Sequence, residues 1–470
     1  MLTYDFENID GPIYEHVYKC IKEDILSGIL KPGERLPSKR TFASNHGIST
    51  ITIQNAYDQL ISEGYVYTLP KRGYFVANIE GLTNVAPRSS TIIYDIEIPK
   101  EKEYKVDFSG NGCSPENFPF SVWTKISREV MSTKKDELMK TAPVCGVREL
   151  REAIAEHLKS FRRMLVDPNQ IIIGAGTEYL YGLLTELLGT EKVYVIENPG
   201  YKKLVQIYGQ RGIDCRYASL DEEGVTVTEL KKSKADVAHI CPNHHFPTGI
   251  TMPASRRYEI LAWANEKEGR YIIEDDYDSE FRTEGKPIPT LFSIDACEKV
   301  IYMNTFSKSL SPTIRISYMV LPVHLVKLFY KRLSFYSCTV SNFEQYTLAE
   351  FMKQGYFEKH INRMRLFYMR KRKHVMEIIH ECGLAKFCEI IENDSGLHFL
   401  IKLNTEQSDE EIETKLIEKG IRMKTLSDYY LTEYKENNHM FIVNYSNIET
   451  DRIKESMQLL EKIIRLNGTI

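Results

Sequence analysis

Apolar residues recur at Ile13, Val17, Ile21 and Ile25, laying one stripe along a helix from Pro12 to Ser27, with Gly28 as its stop. The turn-rich stretch LKPGERLP follows. Ser38 precedes a second, short helical run ending at NHG, and Ser49 precedes a third that passes Ile51, Ala56, Tyr57 and Leu60 to Gly64. Both serines are N-cap residues by type and place, and the glycines are C-terminal stops. YVYTLPKRGYFVAN then alternates as a two-stranded hairpin does, with a basic tip at Lys71, Arg72 and Gly73. Three helices closed by a hairpin predict a winged helix-turn-helix over residues 1–78.

Residues 79–104, with NVAPRSST and the charged run EIPKEKEYK, lack periodicity and read as a linker. From 105 the pattern changes. QIIIGAG, KVYVIE, VAHICP, RYIIEDD and KVIYMNTF are apolar on both faces and alternate with helical stretches. That is the mark of a mostly parallel α/β sheet, expected to occupy residues 105–330. A long charged helix from about Ile361, then GLHFLIKL and MFIVNYS flanking a helix near 409–419, predicts a smaller α+β subdomain within 331–470.

A length of 470 residues implies more than one domain. Hydrophobic residues at 42%, charged residues at 27% and a net charge of -4 describe an ordinary globular chain with no overall bias toward nucleic acid. No apolar run is long enough to span a membrane, and the first twenty residues carry no signal-peptide core. The nine cysteines show no C-x-x-C spacing, which fits reduced thiols in a cytoplasm and no zinc site.

Residues 1–80 hold eight Lys+Arg against ten Asp+Glu, so charge alone does not reveal a DNA-binding head. The basic groups gather instead in 31–40 and 71–72. A helix-turn-helix places the start of its second helix in the major groove. Here that start offers Ser49, Thr50, Thr52, Ile53 and Gln54, whose hydroxyl, amide and methyl groups suit phosphates and base edges. Arg35, Lys39, Arg40, Lys71 and Arg72 would flank it as phosphate contacts. A solvated basic face is the bland alternative. LKPGERLPSKRTFA, GIS, AYDQLISEGYVY and KRGYFV together closely resemble the GntR-type winged-helix domain. Thr50 stands where that family often has an arginine.

Four segments of the body carry chemistry. GAGTEYLYGLL (174–184) is a glycine turn opening a helix, able to present N–H groups to a phosphate. ENPGYKK (197–203) sets Tyr201 beyond a strand. IIEDDYDSEF (272–281) ends a strand in carboxylates and a tyrosine, where open α/β sheets keep their active groups. Metal binding is its rival reading, but no histidine pattern accompanies it, and no metal is expected. TFSKSLSPTIR (305–315) sets Lys308 among hydroxyls, ahead of Arg315, a residue suited to bidentate phosphate contact.

In this order, and with CGVRELREAIAEHL (145–158), these segments resemble the fold-type I pyridoxal-phosphate enzymes, the aspartate-aminotransferase superfamily. The resemblance implies a pyridoxal 5'-phosphate cofactor, with Lys308 as the internal-aldimine lysine and Asp275 as partner of the pyridinium nitrogen. It implies that Tyr277 bonds the ring oxygen, that Tyr201 stacks on the ring, and that Gly176, Thr177, Thr305, Ser307 and Arg315 hold the phosphate. Head and body together resemble the MocR/GabR regulators. That implies a homodimeric, cytoplasmic transcriptional regulator on double-stranded operator DNA, with the enzyme-like site as sensor of the cofactor or of an amine or amino acid.

Phe246 stands before PTG, where aminotransferases have an asparagine on the ring oxygen, which leaves Asn243, His244 or His245 as substitutes. No arginine occurs in HMFIVNYSNI (439–448), where these enzymes clamp the substrate carboxylate. Lys203 replaces an arginine of the GABA-responsive regulator and is a point charge rather than a fork. Lys203, His244 and His245 are the candidate effector contacts. The expectation is a regulator without physiological turnover; a working aminotransferase with an accessory head is the alternative.

Overall fold

The computed structural model describes residues 4, 11–79, 98, 102–110, 112–282, 288–391, 396–433 and 438–465. The chain divides into two compact units, Met1–Glu101 and Lys102–Ile470. Most of the expected linker, 79–104, lies outside the described residues.

In the first unit, helices α1 (Ile13–Leu26), α2 (Lys39–His46) and α3 (Thr50–Ser62) pack around Val17, Ile21, Ile25, Phe42, Tyr57 and Leu60. Ser38 accepts from the Thr41 amide and Ser49 from the Thr52 amide, so both serines are N-caps. The wing holds three strands: β1 (Arg35–Leu36), β2 (Val66–Leu69) and β3 (Gly73–Val76), in the order β1-β3-β2. The extra strand, β1, lies inside LKPGERLP, where two residues are too few to show a period. Two isoleucines of α3 take each other's expected places. Ile51 is 73% exposed and Ile53 fully buried, because 53, 56, 57 and 60 form the inward stripe. Ile53 is therefore core and is withdrawn from the groove-facing set.

The second unit is built on an eight-stranded sheet. Its strands follow the short β4 (Val106–Asp107): β5 (Ile171–Gly174), β6 (Tyr194–Asn198), β7 (Cys215–Asp221), β8 (Gly224–Val225), β9 (Val237–Ile240), β10 (Tyr271–Asp275), β11 (Val300–Thr305) and β12 (Ser317–Val320). The order is β5-β12-β11-β10-β9-β6-β7-β8. Neighbours β11–β10–β9–β6–β7 pair parallel, whereas β12 and the edge strand β8 run antiparallel to their neighbours. The sheet is thus mixed, mostly parallel at its centre.

The C-terminal portion folds as a three-stranded antiparallel sheet of β13 (Cys388–Ile391), β14 (His398–Leu403) and β16 (Met440–Asn444), with β15 (Ile421–Arg422) paired to β4. The helices Tyr356–Glu381 and Thr450–Arg465 share its core through Met364, Tyr368, Ile453 and Met457. Among the described residues no helix is long and apolar enough to cross a membrane.

Candidate functional site

The chemistry-bearing segments converge because they leave the sheet at one edge, the C-terminal ends of its parallel strands. β5 runs into Gly174–Gly176, β6 into Tyr201, β9 into 241–249, β10 into Asp275–Asp278 and β11 into Thr305–Lys308. The antiparallel β12 begins at that same edge, just after Arg315.

At one end of this cleft Gly176 caps the helix Thr177–Leu188 with φ 91 and ψ 161. A Cβ on it would collide with the Arg315 guanidinium. Arg315 therefore lies directly over a helix N-terminus, where free N–H groups and the helix dipole favour an anion. Arg315 Nη2 donates to Glu178 Oε2 at 3.3 Å, and Lys203 Nζ pairs with the other oxygen of Glu178. Lys203 foremost holds the Glu178 carboxyl below its ordinary value. Thr305 Oγ1 accepts from the Ser307 amide at 3.1 Å and from Ser317 Oγ at 2.8 Å, so it also caps the short turn that carries Lys308. Thr177 opens the helix, and Ser307 is half-buried beside Lys308.

At the other end Asp275 Oδ2 accepts from the Tyr181 hydroxyl at 2.6 Å and lies 3.4 Å from His239 Nε2. His239 is steadied in turn by Tyr208, whose hydroxyl is 2.8 Å from Nδ1. Asp275 Oδ1 is buried and has no hydrogen-bond partner among the described residues. A buried carboxylate oxygen left open in this way is a docking point for a donor. Tyr181, His239 and Tyr208 escaped the sequence reading. The one signal was a histidine interrupting the apolar strand VAHI.

The remaining carboxylates of EDDYD separate. Glu274 accepts from the Leu291 and Phe292 amides at 3.0 and 2.9 Å. Asp276 pairs with Arg162 and accepts from Tyr302 at 2.6 Å. Asp278 Oδ2 lies 2.8 Å from His244 Nδ1. Each has its own partner, and among the described residues no group of three or more His, Cys, Asp or Glu could hold a metal ion.

Burial lowers the pKa of the Lys308 ammonium and Asp278 opposes that shift. A lowered ammonium pKa raises the fraction of neutral, nucleophilic amine. Of the three candidates before PTG, Asn243 bonds Glu274 and Arg257, at 3.3 and 2.8 Å, and His245 bonds Thr248 at 2.7 Å. His244 alone of the three reaches Tyr277, 3.1 Å from its hydroxyl. Tyr201 is 41% exposed and meets Phe246 edge-on. Asn444, inside the stretch without arginine, donates to the Gly110 carbonyl at 3.0 Å.

In the head, Arg35, Arg40, Ser49, Thr50, Gln54, Lys71 and Arg72 are exposed. Lys39 Nζ donates to Gln54 Oε1 at 2.6 Å, joining α2 to α3. The Ser49 and Thr52 hydroxyls are bonded to each other at 2.8 Å, so the cap engages both.

This fold and edge-of-sheet cleft define an aminotransferase-like body joined to a winged-helix head. Residues 105–453 match the family described as aminotransferase class I and II, and residues 13–76 match bacterial regulatory proteins of the gntR family. The chain is 34% identical over 453 residues to the HTH-type transcriptional regulator YdeL of Bacillus subtilis, covering 96% of this chain and 97% of that one. It is 27% identical to the pyridoxine biosynthesis transcriptional regulator PdxR of Corynebacterium glutamicum, covering 87% of each. The kynurenine aminotransferase of Pyrococcus horikoshii, solved in complex with PMP, superposes with a TM-score of 0.68 at 25% identity, over 78% of this chain and 92% of that one. The chain belongs to the MocR/GabR-type regulators, in which a GntR head is fused to an aminotransferase-class body.

Proposed function

We propose that this chain is a pyridoxal-phosphate-dependent transcriptional regulator. The head, residues 1–78, binds operator DNA; the linker, 79–104, joins it to a sensing body, 105–470; and two copies place paired heads on two half-sites. The observation that carries the cofactor reading is Asp275: one oxygen is held by Tyr181 and His239, and the other is buried and open. A protonated ring nitrogen fits that oxygen, since opposite charge favours the charged form. The bare Gly176 beneath Arg315 suits a phosphate at the opposite end, with Thr177, Thr305 and Ser307 beside it. Tyr201 would cover the ring face, and Lys308 would hold the aldehyde carbon. The bound cofactor supplies a reactive carbonyl and an electron-withdrawing ring.

The absence of arginine from 439–448, and a Lys203 engaged by Glu178, argue against sustained transamination and against tight capture of an amino acid. A relative named for pyridoxine biosynthesis supports the cofactor itself as the signal. An amine or amino acid reaching Lys203, His244 or His245 is the second choice. A ligand shifts DNA affinity only as far as it binds one arrangement better than another.

The test is fluorescence anisotropy on a duplex from upstream of the gene encoding this chain, with apo and pyridoxal-phosphate-loaded protein and no amino acid. Different affinities are expected. Equal affinities followed by a large shift on adding one amino acid would transfer the signal to that compound. Lys308→Ala should lose the borohydride-reducible cofactor link, and its retention would reject Lys308.

A further inference from the structure

Asp278 and His244 stand beside Tyr277, and each is only 3% or less exposed, so their hydrogen bonds are made out of water. His244 Nδ1 lies 2.8 Å from Asp278 Oδ2 and 3.1 Å from the Tyr277 hydroxyl oxygen. The imidazole is wedged in place. A Cβ on Gly396 would collide with the ring, and the His398 ring packs 4.9 Å away, centre to centre. His398 is itself fixed by its Nε2, 3.1 Å from the Pro247 carbonyl oxygen, and burial pushes its pKa down to about 3.

An ionised carboxylate accepts hydrogen bonds and donates none. Nδ1 of His244 therefore carries a hydrogen, directed at Asp278 and shared with the Tyr277 oxygen. The Tyr277 oxygen is then an acceptor toward the imidazole, and its own hydrogen is left for another partner. In the other neutral tautomer Nδ1 would be an acceptor, and it would take the tyrosine hydrogen for itself. Burial foremost, then Asp278, holds the Tyr277 pKa well above its ordinary value, so the phenol has a hydrogen to give.

We propose that Asp278 is a positioning residue: it fixes the tautomer of His244, and His244 thereby leaves the Tyr277 hydroxyl hydrogen free for an oxyanion on the bound ligand. The inference rests on the cofactor reading above, in which that oxyanion is the ring oxygen of pyridoxal phosphate. It gives Asp278 and His244 a shared task that neither could perform alone, because the hydrogen on Nδ1 is set by the carboxylate and felt by the tyrosine.

The experiment titrates pyridoxal phosphate into the full chain, read by visible absorbance. The proteins are wild type, Tyr277→Phe, Asp278→Asn and the double variant. Tyr277→Phe is expected to weaken binding about tenfold or more, the size of one charge-assisted hydrogen bond. Asp278→Asn should approach that loss, and the double variant should bind no worse than Tyr277→Phe, since the two changes remove one interaction. The pH at which the visible band titrates should move alike in both single variants and no further in the double. Losses that multiply, or an Asp278→Asn protein that binds like wild type, overturn the proposal. If Asp278→Asn does not fold, His244→Asn replaces it. Its amide presents an N–H near the Nδ1 position and should keep wild-type affinity, whereas a loss matching Tyr277→Phe overturns the tautomer argument. A wild-type chain that binds no pyridoxal phosphate refutes the cofactor reading itself, so the two failures are distinguishable.

Discussion

Gly176→Ala separates the geometry of the proposed phosphate end from its composition, because it adds one methyl and removes no polar group. The backbone there has φ 91 and ψ 161, a region open essentially to glycine alone. Forcing alanine into it costs about 1–3 kcal/mol. The new Cβ would lie 2.8 Å from Cζ of Arg315, well inside carbon contact distance, so the guanidinium must move. The Arg315 guanidinium ends a flexible side chain that is 48% exposed, so its shift by itself costs the ligand-free protein little. Under the proposed function, displacing it forfeits a charge-assisted bond to the cofactor phosphate, about 1.5–3 kcal/mol. The strain belongs to the protein with or without ligand and appears as a melting temperature lower by a few degrees. The lost bond belongs to binding and appears as a pyridoxal phosphate dissociation constant raised about 10- to 150-fold. Differential scanning fluorimetry of the apo protein and an absorbance titration measure the two separately. Gly209→Ala, at the end of a helix where an added Cβ meets nothing within 4 Å, is the control and should lower neither the melting temperature nor the affinity. A Gly176→Ala protein that binds within about threefold of wild type would refute the placement of phosphate beneath Arg315.

Ile53→Ala empties a fully buried site in the head and should cost about 2–5 kcal/mol of its stability, whereas Ile51→Ala at 73% exposure should leave the head's melting transition unchanged. Alanine at Arg35, Arg40 or Arg72, all exposed, should weaken binding to every duplex alike and reduce the slope of log K against log salt by about one each. A changed base preference at unchanged slope would make that residue a base reader. Burial pushes the Glu197 carboxyl up to about 8, with Asp275 adding to it, against an ordinary value of 4.5. A folded pKa above the unfolded one gives stability that is complete below the unfolded value and lost as pH rises through the folded one. Glu197→Gln keeps the uncharged shape, so its melting temperature should fall less than wild type's between about pH 4.5 and 8. Parallel curves would show that Glu197 is not the titrating group.

Much of the architecture was legible because it is written locally. Ser38 and Ser49 cap helices whatever surrounds them, and the long apolar strands announce a buried, mostly parallel sheet. The short strands β1 and β8 were not legible, since two residues show no period. Nor was the role exchange of Ile51 and Ile53 within one helix turn. Periodicity gives the spacing of a stripe, and its phase is fixed only by what the helix packs against.

The site divides in the same way. By itself the sequence determined the two-part organisation and the inventory: Lys308 after one strand, Asp275 at the end of another, a glycine turn, Arg315. Only the tertiary structure decided what each group does with its neighbours. It set four carboxylates of one short segment to four tasks, left one oxygen of Asp275 open, and brought Tyr181 and His239 to the other. It chose His244 over Asn243 and His245 as the neighbour of Tyr277. The physical reason is that these choices depend on hydrogen bonds between residues far apart in the chain, such as Tyr181 to Asp275 and His244 to Asp278. Such pairs meet only because parallel strands deliver their ends to one edge of the sheet.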